Sequence, residues 1–174
     1  DGRTPLHWAC RNGHLDVARW LVARGLDANA RTRDGTTALH WCVWQGHLAV
    51  AEWLVDGAGA DLHARNSFGC NAMQWAAQPA DGRADALPMC RWLRDRGLDL
   101  AVLNHNGHSA VHKAAVKGRR DVCEWLLAED GGGLGARHLA ADGDGNTPAL
   151  MARLEGYDEL SEWLDDAAAR FAPD

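Results

Sequence analysis

His105, His108 and His112 fall close together in the chain, with Cys123 downstream, and His7 and His40 precede them. Imidazole and thiolate are zinc ligands, and a structural zinc site needs four of them at about 2 Å in a tetrahedron. The spacing does not supply that set. No Cys-x-x-Cys pair occurs, and His7, His40 and His112 recur at one position of a repeating unit. If each unit is a helix layer, successive positions lie about 10 Å apart and cannot share an ion. Asp142-Gly143-Asp144-Gly145-Asn146 opens like a calcium loop, but Thr147 and Arg153 stand where Gly and Glu are required. That segment reads as a turn. Cys90 and Cys123 sit two residues before a Trp, at a position held by Ala18 and Ala51 elsewhere. A site that takes Ala or Cys is a small apolar slot, whereas a redox thiol must be exposed and activated. No G-x-S-x-G, Walker loop or G-x-G-x-x-G is present, and Gly131-Gly132-Gly133 lacks the Lys-Ser/Thr of a phosphate cradle. These residues imply no catalytic centre, no cofactor and no metal site.

The elements that would carry them repeat. DGRTPLHWAC at 1, DGTTALHWCV at 34, FGCNAMQWAA at 68, NGHSAVHKAA at 106 and DGNTPALMAR at 144 are spaced by 33, 34, 38 and 38 residues. A second landmark, R/E-W-L, recurs at Trp20, Trp53, Trp92, Trp125 and Trp163. Within a unit, Asp-Gly or Asn-Gly makes a tight turn. Thr4-Pro5 opens a helix, because Thr caps and Pro needs no partner for a missing N–H at the first position. Leu6, Ala9 and Cys10 follow at helical spacing and Gly13 ends the helix. Leu15, Val17, Ala18, Leu21 and Val22 form one apolar face of a second helix, ended by Gly25. Such short helices are marginal alone and gain order by stacking on neighbouring units. The spacing predicts an all-α solenoid of about five helix-turn-helix repeats over residues 1–174, at roughly 1–33, 34–67, 68–105, 106–143 and 144–174. Insertions are expected in Gln78–Asp85, which holds Pro79, Asp81 and Gly82, and in Gly131–Gly135. The last repeat should act as a polar C-terminal cap, with Asp158, Glu159, Glu162, Asp165 and Asp166 facing water. With no N-terminal capping repeat in view, Leu6 and Val17 are expected to be exposed, which points to upstream sequence or a covering partner.

DGRTPLHWACRNGHLDVARWLVARGLDANAR resembles the ankyrin repeat, whose signature is T-P-L-H-x-A at a period near 33. The resemblance covers essentially the whole chain; in style it is similar to ankyrin proteins of unicellular algae and protists. Repeat three departs at Asn71-Ala72-Met73-Gln74 and repeat five at Leu150, and the five W-L tryptophans replace the usual Leu. The resemblance implies a fold with β-turn fingers. It implies that His7, His40 and His112 tie the turn and neighbouring repeats together. It also implies a non-catalytic adaptor that binds another protein on its concave face. The transferred binding positions are the finger residues Arg3, Arg31, Arg33, Thr36, Asn66, His108 and Asn146. They also include the inner-helix residues Arg11, Asn12, Trp44, Gln45, Gln78, Lys117 and Glu155. Trp44 is the expected exposed hot spot. The W-L tryptophans are expected in the core, and Trp8, Trp41 and Trp75 in the core or between repeats. Arg and Trp together in the first two repeats suit an acidic or aromatic partner segment. The alternative is a permanent structural subunit of a large multi-protein assembly, with an organelle among its settings; a thiol redox sensor ranks last.

Composition agrees. The net charge is −6, yet residues 1–143 balance and the whole excess lies in 144–174. No broad basic face is available for nucleic acid, and no apolar run is long enough for membrane insertion or a signal peptide. Five unpaired-looking cysteines fit a reducing intracellular compartment, cytoplasm or nucleus first, with a plastid or other organelle as alternatives. The array is expected as a monomer or within a hetero-complex.

Overall fold

A computed structural model describes residues 1–79 and 85–171. The expected insertion residues Asp81 and Gly82 lie outside them. Among the described residues the regular elements are ten α-helices and one 3₁₀ turn. The helices are α1 (Pro5–Arg11), α2 (Leu15–Ala23), α3 (Ala38–Trp44), α4 (Leu48–Asp56), α5 (Ala72–Ala76), α6 (Ala86–Asp95), α7 (Ala110–Val116), α8 (Arg120–Leu127), α9 (Pro148–Leu154) and α10 (Asp158–Arg170). Odd-numbered inner helices pack in a row, α1 on α3, α3 on α5, α5 on α7 and α7 on α9, and each carries its even-numbered outer helix. The chain is an all-α repeat solenoid.

Thr4, Thr37, Asn71, Ser109 and Thr147 stand at the starts of the inner helices, and Pro5 and Pro148 occupy first turns. Small side chains let the layers close. The slot two residues before each W-L tryptophan holds Ala18, Ala51, Cys90, Cys123 and Ser161, all fully buried. The Leu of each W-L pair, such as Leu54, Leu93 and Leu126, fills the core. The tryptophans themselves do not, contrary to expectation. Trp20 is 54% exposed, and Trp53, Trp92, Trp125 and Trp163 are half-buried against the core's outer edge. One residue is a 100° step around a helix, so Leu and Trp of a pair cannot share a direction. The outer tryptophans instead receive arginines. Arg24 lies over Trp20, Arg96 over Trp92, and Arg94 and Arg120 reach across to Trp125 and Trp163 of the following repeat. Arg96 also forks onto the carboxylate of Asp56 in the preceding outer helix.

At the ends the expectations are partly met. Leu6 is buried, because α3 covers it, whereas Val17 is 49% exposed. Asp158, Glu159, Glu162, Asp165 and Asp166 face solvent, but α9 also exposes Leu154.

The fingers share one design. In each, a residue accepts from its own turn through a side-chain oxygen: Thr32 from the Thr36 N–H, Asn66 from Phe68 and Cys70, Asn104 from Asn106 and His108, Asp142 from Asp144 and Asn146. Successive fingers join through backbone: the Arg33 N–H donates to Asp1 C=O at 2.9 Å, Ser67 to Asp34 at 2.9 Å, His105 to Phe68 at 2.9 Å and Gly143 to Asn106 at 2.8 Å. Gly35 sits in this ladder at φ +73, where a Cβ would meet the Ser67 backbone nitrogen at 3.1 Å.

The expected insertion at Gly131–Gly135 folds back on α8. Gly132 N–H donates to Trp125 C=O at 2.8 Å and Leu134 N–H to Leu126 C=O at 2.9 Å. A Cβ on Gly131 would collide with the Trp125 carbonyl oxygen, whereas one on Gly135 would meet nothing. Gly131→Ala is therefore expected to cost about 2–3 kcal/mol, as overpacking does, and Gly135→Ala well under 1 kcal/mol. Urea denaturation of the two variants checks this; equal costs would refute the fold-back contact.

Candidate functional site: the concave face

Behind the fingers lies a row of imidazole clamps. His7 Nδ1 accepts from the Thr4 N–H at 3.1 Å, and its Nε2 lies 3.3 Å from the Thr36 carbonyl of the next finger. His40 repeats this with the Thr37 N–H at 3.2 Å and the Cys70 carbonyl at 3.3 Å. The pattern requires the neutral Nε2–H tautomer, since Nδ1 faces a donor. His112 Nδ1 accepts from Ser109 at 3.2 Å, and its ring stacks on His108. Burial holds His40 and His112 down to about 4 and lowers His7 as well. His7 and His40 are structural ties to the next repeat, whereas His112, contrary to expectation, holds only the start of its own helix, its Nε2 being buried without a hydrogen-bond partner. Repeat three preserves the pattern with an amide: Gln74 Oε1 accepts from the Asn71 N–H at 3.1 Å and Nε2 donates to the His108 carbonyl at 2.7 Å. Leu150 replaces the imidazole in repeat five and is 37% exposed.

Although His108 and His112 are four residues apart, their nitrogens do not converge. His108 precedes α7, and its Nε2 lies 2.7 Å from Asp142 Oδ2. Among the described residues no three His, Cys, Asp or Glu side chains are grouped to hold a metal.

The cysteines are inward. Cys10, Cys42, Cys90 and Cys123 are fully buried and Cys70 nearly so. Burial pushes Cys10 and Cys90 up to about 12 and raises Cys42 and Cys123 too. Buried, protonated thiols are inert. Alkylation at neutral pH is expected to proceed only as fast as the array opens; one thiol labelled within seconds in the native protein would contradict the packing role.

The exposed chemistry lies where the inner helices meet the fingers. Trp41, Trp44 and Trp75, each half-buried, form a cluster with ring centres 5.7 Å apart for Trp41–Trp44 and 6.1 Å for Trp44–Trp75, both edge-to-face, and 5.7 Å for the tilted Trp41–Trp75 pair. Trp8 is 45% exposed beside them. The Arg3 guanidinium stands over Trp8 at 5.2 Å and Trp41 at 4.7 Å. That of Arg11 stands over Trp8 at 5.4 Å, Trp41 at 5.1 Å and Trp44 at 5.8 Å. Cation–π stacking fixes these long side chains in place. Farther along, Phe68, Trp75, Gln78, Asn106, His108 and Lys113 line a groove of about 240 Å³, with Phe68 58% exposed.

Of the expected contact positions, Arg3, Arg11, Trp44 and Gln78 come together on this face. Asn12, Gln45, Lys117 and Glu155 end inner helices α1, α3, α7 and α9. Arg31 and Arg33 are exposed on the finger edge, where Arg31 donates to the Arg65 carbonyl at 2.8 Å. His108 is held by Asp142, and Asn146 Nδ2 leans on the same carboxylate. Two expectations fail. Thr36 is completely buried, its N–H held by Thr32 and its carbonyl facing His7. Asn66 is 6% exposed because its oxygen anchors the third finger. Thr36 offers no surface to a partner, and Asn66 offers only a sliver at the wall of the groove beside Phe68 and Gln78. The core or inter-repeat place expected of Trp8, Trp41 and Trp75 holds for the last two, which are half-buried and touch across repeats two and three, whereas Trp8 is exposed; Trp44, expected to be exposed, is half-buried against both rings. The missed signal is helical phase: Leu6, Ala9 and Cys10 mark the buried stripe, and Trp8 stands two residues from Leu6, some 200° away.

No helix among the described residues is long and apolar enough to cross a membrane. A family model described as ankyrin repeats (3 copies) matches residues 1–66 and 56–137, most of the chain and all of the Trp–Arg patch. Fingers, imidazole clamps and paired helices recur through the stretch it matches, and the chain belongs to the ankyrin-repeat family.

Proposed function

We propose that residues 1–174 act as one continuous docking platform, an adaptor that binds another protein on its concave face. Ankyrin repeats are generally protein–protein interaction modules, and the family is typically non-catalytic. The observation that carries the reading is the cluster of exposed Trp8 with half-buried Trp41, Trp44 and Trp75, overlaid by Arg3 and Arg11. Trp and Arg are the side chains that dominate interface energetics. Stacked in advance, they lose little freedom on binding. The contact set comprises that cluster with Asn12, Arg31, Arg33, Gln45, Gln78, His108, Lys117, Asn146 and Glu155.

The test is capture of partners on the immobilised chain, identified by mass spectrometry, beside Trp41→Ala and Trp20→Ala variants. A partner retained by Trp20→Ala and lost by Trp41→Ala supports the concave platform. A partner lost only when Trp20 on the outer wall is removed would place docking on the opposite face.

A further inference from the structure

We infer that the concave patch selects an acidic partner segment, with carboxylates seated on the paired guanidinium groups of Arg3 and Arg11; this rests on the docking reading above. Both cations stand over the same two rings, Trp8 and Trp41. Two like charges therefore share one aromatic platform, 4.7 and 5.1 Å from the Trp41 ring centre, and an anion beside that platform is attracted by both. The chain does not supply that anion in full. Arg3 meets Asp1 at 3.2 Å, but Asp1 is 62% exposed, and such pairs contribute little. No carboxylate reaches Arg11 among the described residues. Each guanidinium carries five N–H donors in a planar fork. That geometry matches a carboxylate in bidentate fashion. The tryptophan walls lower the local dielectric, so each pair is stronger than one in open water. Charge complementarity also orients the partner. The chain's acidic excess lies wholly in residues 144–174, so an acidic segment is drawn to the first repeats and repelled from the last.

An extended peptide of about ten residues spans ~33 Å, the reach of about three repeats. The probe is therefore a fluorescein-labelled peptide of that length alternating Glu and Ser, matched with one in which Gln replaces every Glu. Anisotropy is measured with the full chain at low and physiological salt. The Glu peptide is expected to bind, the Gln peptide at least ~10-fold more weakly, and added salt to weaken the first selectively. Arg11→Gln should weaken the Glu peptide about 10-fold with its melting temperature kept, while Arg19→Gln on the outer wall leaves it unchanged. Equal affinity for the two peptides, no binding of the Glu peptide at either salt, or indifference to Arg11→Gln overturns the inference. So does sedimentation showing that the chain pairs with itself and that Arg11→Gln separates the copies, because the occupant would then be a second copy. A concave-face partner captured alongside equal peptide affinities would leave the platform standing and remove only its acidic chemistry.

Discussion

His40→Ala is expected to lower the unfolding free energy by about 3–4 kcal/mol, whereas His40→Gln should cost about 1 kcal/mol. Alanine removes the acceptor of the Thr37 N–H and the partner of the Cys70 carbonyl, both in a fully buried setting, and leaves a cavity. Glutamine can satisfy both, because Gln74 already does so one repeat later. The pair also separates bonding from titration. The folded-state value of His40 lies below its ordinary one, at about 4. The unfolded chain therefore binds protons first as pH falls, and stability present at neutral pH is lost from about pH 6.5 down to about pH 4. Near pH 5 the loss is about 2 kcal/mol for one such histidine. His40→Gln should flatten urea midpoints across that window, with the slope from His7 and His112 remaining. A glutamine variant as unstable as the alanine one, or as steep in pH, would refute the clamp.

Trp41→Ala is expected to weaken partner binding by roughly 30-fold or more, and Trp20→Ala by less than about twofold. Trp41 touches both partner rings of its cluster and lies under both arginines, so its loss also frees the guanidinium groups. Trp20 is more exposed than any of these rings, yet it faces outward under Arg24. Exposure alone would rank Trp20 higher; the contrast therefore tests position on the array rather than apolar area. Titration calorimetry with the captured partner measures both. Similar losses for the two would show that no one face is privileged.

The fold was legible because its signals are local. Thr4-Pro5, the Asp-Gly turns and the W-L landmarks state where each helix begins, which turn precedes it and how the unit repeats. The Ala/Cys slot before each Trp correctly marked a small core position. The site was less legible, and for two reasons. The position after T-P-L-H reads as core or inter-repeat packing, which holds for Trp41 and Trp75, whereas Trp8, two residues from Leu6, lies on the open side. Repeat position alone makes Thr36 and Asn66 finger tips. Whether a polar finger residue faces a partner or folds under its own turn depends on the neighbouring finger, through contacts such as His7 with Thr36, and that long-range pairing leaves no local trace.

A photo-cross-linking residue placed at Gln45, at the end of an inner helix beside Trp44, tests the central claim most directly when compared with one at Arg19 on the outer wall. With the captured partner present, covalent product is predicted from position 45 and not from position 19. Cross-linking from position 19 alone would contradict the concave docking face.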